Sequence, residues 1–210
     1  MKLIKLVSML GLLIFMAGQA NAGPGFFPFF DNFNSENGGN YQLNYNNFQN
    51  WTVSDGTVDL IGVGSPWNWF PSYGLYIDMD GSTNNAGKLT TKEDFTLYPG
   101  LIYTLSFDLA GNQRGYPPDQ VIVQVAMGSI FNETFSLSSS DPFRTYSRNF
   151  SVLSTVANIK LSFEGVGGDN VGMLLDNVSF TVIPEPGTLL LLGTGLIGFS
   201  IAARIRRKRS

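Results

Sequence analysis

The sequence predicts an all-β protein, an antiparallel sandwich that takes up most of the chain. Three observations predict it. Apolar and polar residues alternate with period two in run after run between Asn32 and Val182; no long stretch there keeps a helical period; and Gly, Asn, Asp and Pro separate the runs. Trp51–Val53, Thr57–Val63, Leu75–Asp80 and Leu89–Phe95 read as the first four strands. The clearest follows, with Leu101, Tyr103, Leu105, Phe107 and Leu109 alternating with Thr104, Ser106 and Asp108. Val121, Val123, Val125 and Met127 make the next, then Phe131, Phe135 and Leu137, then Phe143–Phe150. Ile159, Leu161 and Phe163 alternate with Lys160, Ser162 and Glu164. In the last strand Leu174, Asp176, Val178, Phe180 and Val182 are expected to share one face. About ten short strands at this spacing suit two packed sheets.

Composition removes whole classes of chemistry. The 210 residues include no Cys and no His, so there is no disulfide framework, no Cys/His zinc site, no Ser-His-Asp or Cys-His triad and no Cys-attached haem. The charge is divided unevenly. Of 13 basic residues, Lys2 and Lys5 lie at the N-terminus and Arg204, Arg206, Arg207, Lys208 and Arg209 at the C-terminus. Six basic residues are left in a middle that carries all 16 acids. Such a body repels nucleic-acid phosphates and favours divalent cations or neutral ligands.

The two ends are targeting segments. In residues 1–22 a basic start precedes an apolar stretch from Leu6 to Ala17 and then Gln19-Ala20-Asn21-Ala22. That is the pattern of a secretory signal peptide, with small Ala20 and Ala22 where signal peptidase inspects the chain and Gly23 as the new N-terminus. An uncleaved anchor is the alternative. At the other end Ile183-Pro184-Glu185-Pro186-Gly187 leads into an uncharged run, 188–203, and a basic tail, 204–210. The run is slightly short of the ~20 residues that cross a bilayer. Arg204 extends it by snorkelling, and the arginines hold the tail in the cytoplasm. The body, 23–182, is then expected outside the inner membrane. The prolines keep Glu185 in an extended, exposed segment.

Pro-Glu-Pro, an apolar segment and an arginine-rich end, in that order behind a signal peptide, resemble the PEP-CTERM sorting signal of Gram-negative envelope and exported proteins. The resemblance implies recognition at Pro184, Glu185 and Pro186 by exosortase, a membrane-embedded transpeptidase. It also implies removal of the C-terminal segment and delivery of the body to the surface or an extracellular polysaccharide matrix. A linker before a plain membrane anchor is the alternative.

Within the body, Gly74–Ser82, Ala86–Leu89, Tyr98–Asn112 and the closing Leu174-Leu175-Asp176-Asn177-Val178-Ser179 resemble galactose-binding-like jelly rolls of exported choice-of-anchor proteins. That implies a two-sheet jelly roll related to carbohydrate-binding modules, often with one structural calcium. An aspartate on an apolar strand face is costly unless it is paired or bound to a cation. In the resembling folds the closing-strand acid, here Asp176, joins an acid from the first strand, here Glu36 or Asp31, around the ion. A bulge that turns Asp176 to solvent, or pairing with Arg144 or Arg148, is the alternative.

Trp67, Trp69, Phe70 and Tyr73 crowd a Pro- and Gly-marked loop. Flat exposed rings suit pyranose faces, whereas buried ones would fold back over the sandwich edge. In the loop 111–119, Asn112 and Arg114 offer hydrogen bonds to sugar hydroxyls. Asp78 and Asp80 share a strand face and raise the possibility of a carboxylate-dependent glycan hydrolase, against which an ordinary strand-end turn is the plainer reading. The expectation is a non-enzymatic exported protein that binds polysaccharide, with a structural matrix or coat protein as the alternative.

Overall fold

In a computed structural model, which describes residues 28–183, the alternating runs become thirteen strands. The signal peptide with Ala20, Ala22 and Gly23, the Pro184-Glu185-Pro186 motif, the 188–203 run and the basic tail lie outside the described residues. No helix among the described residues is long and apolar enough to cross a membrane. The strands are β1 (Phe29–Asp31), β2 (Trp51–Ser54), β3 (Asp59–Gly62), β4 (Leu75–Asp78), β5 (Lys88–Thr91), β6 (Phe95–Leu97) and β7 (Ile102–Ala110). They continue as β8 (Asp119–Val125), β9 (Phe131–Leu137), β10 (Arg144–Phe150), β11 (Val156–Ile159), β12 (Leu161–Val166) and β13 (Leu174–Ile183).

One sheet runs β10-β7-β13-β4-β3, with β1 added against β13; the other runs β2-β5-β12-β8-β9, and β6 pairs β11 separately. The ladders are antiparallel. Alternation explains the layers. Tyr103, Leu105, Phe107 and Leu109 of β7 and Val121, Val123 and Val125 of β8 point into one core, while the residues between them face outward. Phe107 meets Phe163 edge-on at 5.2 Å between centroids, and Trp51 meets Phe163 at 5.8 Å and Phe29 at 5.5 Å. These T-shaped contacts match ring edge to ring face.

The sequence reading differs from the structure in identifiable ways. Leu89–Phe95 is two strands in different sheets, broken by the exposed Lys92-Glu93-Asp94 turn. β1 and β11 are too short for alternation to announce them. The shared face expected of the last strand does not hold. Asn177 takes a φ of 49° and inserts an extra residue, so Leu175 and Val178 both face the core. Leu174 lies instead in a second cluster with Ile61, Tyr76 and Ala110, on the outer face of the β13 sheet.

β1 is tied to the opposite sheet through Asp31. Its Oδ2 accepts from Trp51 Nε1 and Asn50 Nδ2, both at 2.9 Å, and its Oδ1 accepts from the Phe33 amide at 2.8 Å. Trp51→Phe keeps a ring in the core but removes one donor from a buried carboxylate. The expected loss is about 1–3 kcal/mol in chemical denaturation, with the midpoint lowered and the slope unchanged.

Candidate functional site

The aromatic loop is a lid. Gly62 has a φ of 113°, and a Cβ there would lie 2.1 Å from the Gly74 carbonyl oxygen, so only glycine lets the two loop stems approach. Ser65 Oγ accepts from the Gly62 and Trp67 amides at 3.1 Å each, closing the first turn. Tyr76, on the outer face of β4, then fixes the loop: its hydroxyl accepts from the Trp69 amide at 3.0 Å and donates to the Trp67 carbonyl at 2.9 Å. Trp67, Trp69, Phe70 and Tyr73 are half-buried over Ile61, Tyr76, Ala110 and Leu174. Tyr73 stacks on Phe143 at 4.3 Å between centroids. Of the two readings open for these rings, the structure adopts the one in which they fold back over the sheet.

Four of the sequence-selected residues, Trp69, Asp78, Asn112 and Arg114, nevertheless meet. Arg114 crosses to the Trp69 ring, its Cζ 5.3 Å from the centroid, and donates to Asp78 Oδ2 at 2.7 Å and to the Asn170 carbonyl at 3.0 Å. Asn112 Oδ1 accepts from the Arg114 amide at 2.9 Å and from Ser139 Oγ at 2.5 Å, and its Nδ2 donates to Asp119 Oδ2 at 2.7 Å. Burial pushes the Asp78 carboxyl well above the usual aspartate range, against the pull of Arg114. Asp119 is also raised, first by burial, with the Asn112 amide opposing and Asp169 and Asp80 adding to it.

Asp78 and Asp80 are both buried. Asp78 also accepts from the Gly172 amide at 2.9 Å, and a Cβ on Gly172 would sit 2.3 Å from the Asp80 amide nitrogen. The 167–172 loop thus closes over this pair, which leaves the two carboxylates without the open approach that a hydrolytic pair needs.

Beside Asn112 lies an open groove of about 460 Å³, lined by Gln113, Tyr116, Pro118, Ser138, Ser139 and Ser140. Gln113 Nε2 braces its floor by donating to the carbonyls of Gly111, Ser139 and Asp141 at 3.2, 2.9 and 2.8 Å. Tyr116 is 48% exposed. An exposed ring facing a row of hydroxyls can stack on an apolar face and hydrogen-bond a polar rim. Sequence reasoning passed over Ser138-Ser139-Ser140; a hydroxyl run between two strands is the signal that was available.

The three residues proposed for calcium are each engaged differently. Both Glu36 oxygens accept from the Gln49 amide, at 2.9 and 3.1 Å, and both Asp31 oxygens are occupied as described above. Among the described residues no three carboxylates gather into a metal-binding group. Asp176 stands apart on the outer face, wholly buried, with Oδ1 accepting from its neighbour's amide at 2.7 Å and Oδ2 without a partner. Neither Arg144 nor Arg148 reaches it: Arg144 lies near Asp141, and Arg148 pairs with Glu133 at 2.6 Å. Asp108, whose Oδ2 accepts from Asn177 Nδ2 at 2.8 Å, adds its charge nearby. Burial first, then Asp108 and Asp31, push the Asp176 carboxyl up to about 8.

Between pH 4 and 8 the unfolded chain therefore ionises this carboxyl while the folded chain keeps it protonated, so its contribution to stability falls with rising pH and levels off above about 8. Asp176→Asn should melt like the wild type near pH 4 and above it near pH 8. The gap is on the order of 5 kcal/mol at most, read from thermal unfolding at both pH values.

No curated protein sequence matches this chain. Among solved structures, it is similar to a CBM22–GH10 xylanase of Clostridium thermocellum solved with xylohexaose, at 15% identity over 70% of this chain, TM-score 0.45. This chain spans 28% of that xylanase's length. It is similar to the K1 cleaved adhesin domain of Lys-gingipain from Porphyromonas gingivalis, at 11% identity over 74% of this chain and 98% of that one, TM-score 0.48. It is also similar to the CBM22 xylan-binding domain of Paenibacillus barcinonensis, at 12% identity over 75% and 95%, TM-score 0.45. Residues 182–208 match the family model described as the PEP-CTERM protein-sorting motif, so the match begins on the last two residues of the closing strand.

Proposed function

We propose that this is an exported, non-enzymatic surface or matrix protein. It is delivered through signal peptidase and an exosortase-type transpeptidase, and its sandwich holds neutral polysaccharide in the groove between Tyr116 and Ser138–Ser140. The observation that carries the reading is the position of the sorting motif. It begins at residue 182, and β13 ends at Ile183, so every strand of both sheets precedes Pro184. Release at the motif therefore separates the C-terminal segment without removing a strand. Before release, the 188–203 run spans the inner membrane, with the basic tail in the cytoplasm and the body in the periplasm.

The groove supports the ligand reading. Tyr116 offers a ring face, Ser138 and Ser140 offer hydroxyls, and Gln113, Asn112 and Ser139 are held in place by the bonds that shape the loops. Asp119, Asp141 and Asp169 nearby favour neutral over acidic glycans. Trp69 and Arg114 brace the loop from behind.

Two measurements test this reading. In a cell that has the transpeptidase, the exported protein should lack residues 188–210 by mass, whereas Glu185→Ala should stay in the membrane with its arginines. Recovery of the wild type with its tail intact from such a cell would sink the sorting assignment. On an array of neutral matrix polysaccharides, Tyr116→Ala should weaken binding roughly three- to tenfold. No binding by the wild type leaves a structural coat protein.

A further inference from the structure

The sandwich has two unlike ends. β7 begins beside the end of β10, with Tyr103 opposite Phe150. Phe150 stacks on Phe131, at the start of β9, and on Phe180, near the end of β13. The segments 98–102, 126–130 and 151–155 therefore surround the end at which β13 leaves the fold. Their sequences, Tyr-Pro-Gly-Leu-Ile, Ala-Met-Gly-Ser-Ile and Ser-Val-Leu-Ser-Thr, contain no charged residue. Met127 at one tip is 92% exposed, Leu153 at another is fully exposed, and Ile102 at the start of β7 is 49% exposed. The opposite end carries Asp55, Asp80, Asp141 and Asp169 in its loops and Asp119 at the start of β8.

Large apolar side chains at the tips of uncharged loops are costly in water, and an exposed patch of this kind marks a surface that meets something apolar. We infer that this end docks on the lipid bilayer while the precursor is anchored, with Met127 and Leu153 entering the headgroup layer. The inference rests on the 188–203 run spanning the membrane, as proposed above.

Chain length selects the bilayer as the occupant. Only residues 184–187 separate the end of β13 from that run, and four residues reach at most about 14 Å. The interfacial layer of one leaflet is itself roughly 5–7 Å thick. The end from which β13 departs is thus held within a loop's height of the headgroups, whatever path the connection takes. The charged exception at this end, Lys92-Glu93-Asp94 with Lys160, sits on the β5 and β12 side. There Lys160 Nζ pairs with Asp94 at 3.1 Å and donates to the Lys92 carbonyl at 2.8 Å. The apolar tips lie toward β7, β9 and β10, so contact is expected with that side lowered. Full burial of a Leu- or Met-sized side chain changes a partition equilibrium roughly tenfold or more.

The chain has no cysteine, so single-cysteine variants report one position each. The precursor is expressed in a host without the transpeptidase, reconstituted into phosphatidylcholine–phosphatidylglycerol vesicles and labelled with a polarity-sensitive fluorophore at Met127→Cys, Leu153→Cys or, at the far end, Tyr116→Cys. Lipids bearing a nitroxide near the headgroup should quench the first two at least twofold more than the third, and flotation of the same samples reports anchoring. Vesicle-bound precursor with equal quenching at all three positions overturns the docking and leaves the span intact. Precursor that fails to float with the vesicles overturns the span, and the docking with it.

Discussion

The fold depends on one strand having two faces that change places part-way along. β13 lies inside its sheet, with β7 on one edge and, on the other, β4 for its first residues and β1 for its last. A regular strand of that length would send one parity of side chain to the core throughout. The positive φ of Asn177 breaks the parity. Leu174 then packs beneath the aromatic lid while Leu175, Val178 and Phe180 fill the space between the sheets. The aromatic lid, the burial of Asp176 and the hold on β1 follow from that bulge. Asparagine suits it, because its short polar side chain tolerates the left-handed region and here donates to Asp108.

Where the sequence was legible, one residue's environment repeated at its second neighbour. β7 and β8 show this, and their core faces are those that alternation assigns. Legibility ended where geometry rather than pattern decides. Nothing local distinguishes Asp176 on a regular strand from Asp176 one residue before a bulge, yet the two readings place the carboxylate on opposite faces of the sheet. Trp69, Arg114 and Asn112 were each singled out for a sugar. They come together because Asp78 and Asn170, distant in the chain, receive the guanidinium. Composition alone cannot separate a ring that braces a loop from a ring that receives a ligand. The sorting motif was legible in full because it is one contiguous run, residues 182–208, read without reference to any distant residue.

Arg114 shows how an acidic body uses its few cations. A buried carboxylate such as Asp78 is costly unless something compensates it, and the guanidinium does so while lying against an indole. A lysine would supply the charge but neither the planar stack nor a second directed donor for the Asn170 carbonyl. The groove next to Asn112 inherits its shape from this network, because the loop bearing Tyr116 is pinned at Asn112, Gln113 and Arg114 before it opens. Rigidity behind a site lets an exposed ring and a few hydroxyls bind without first being ordered.

An exported chain without cysteine must hold its ends by non-covalent means. In this body the first and last strands are neighbours, Asp31 opposite Val178 in the ladder, and Asp31 also reaches across to Trp51 of the facing sheet. The same pairing sets both strand ends on one side of the sandwich, the side with the uncharged loops. A single long-range ladder thus closes the core and brings the start of the sorting motif to the end of the body that carries the uncharged loops. The acid-rich loops and the groove beside Asn112 lie at the opposite end.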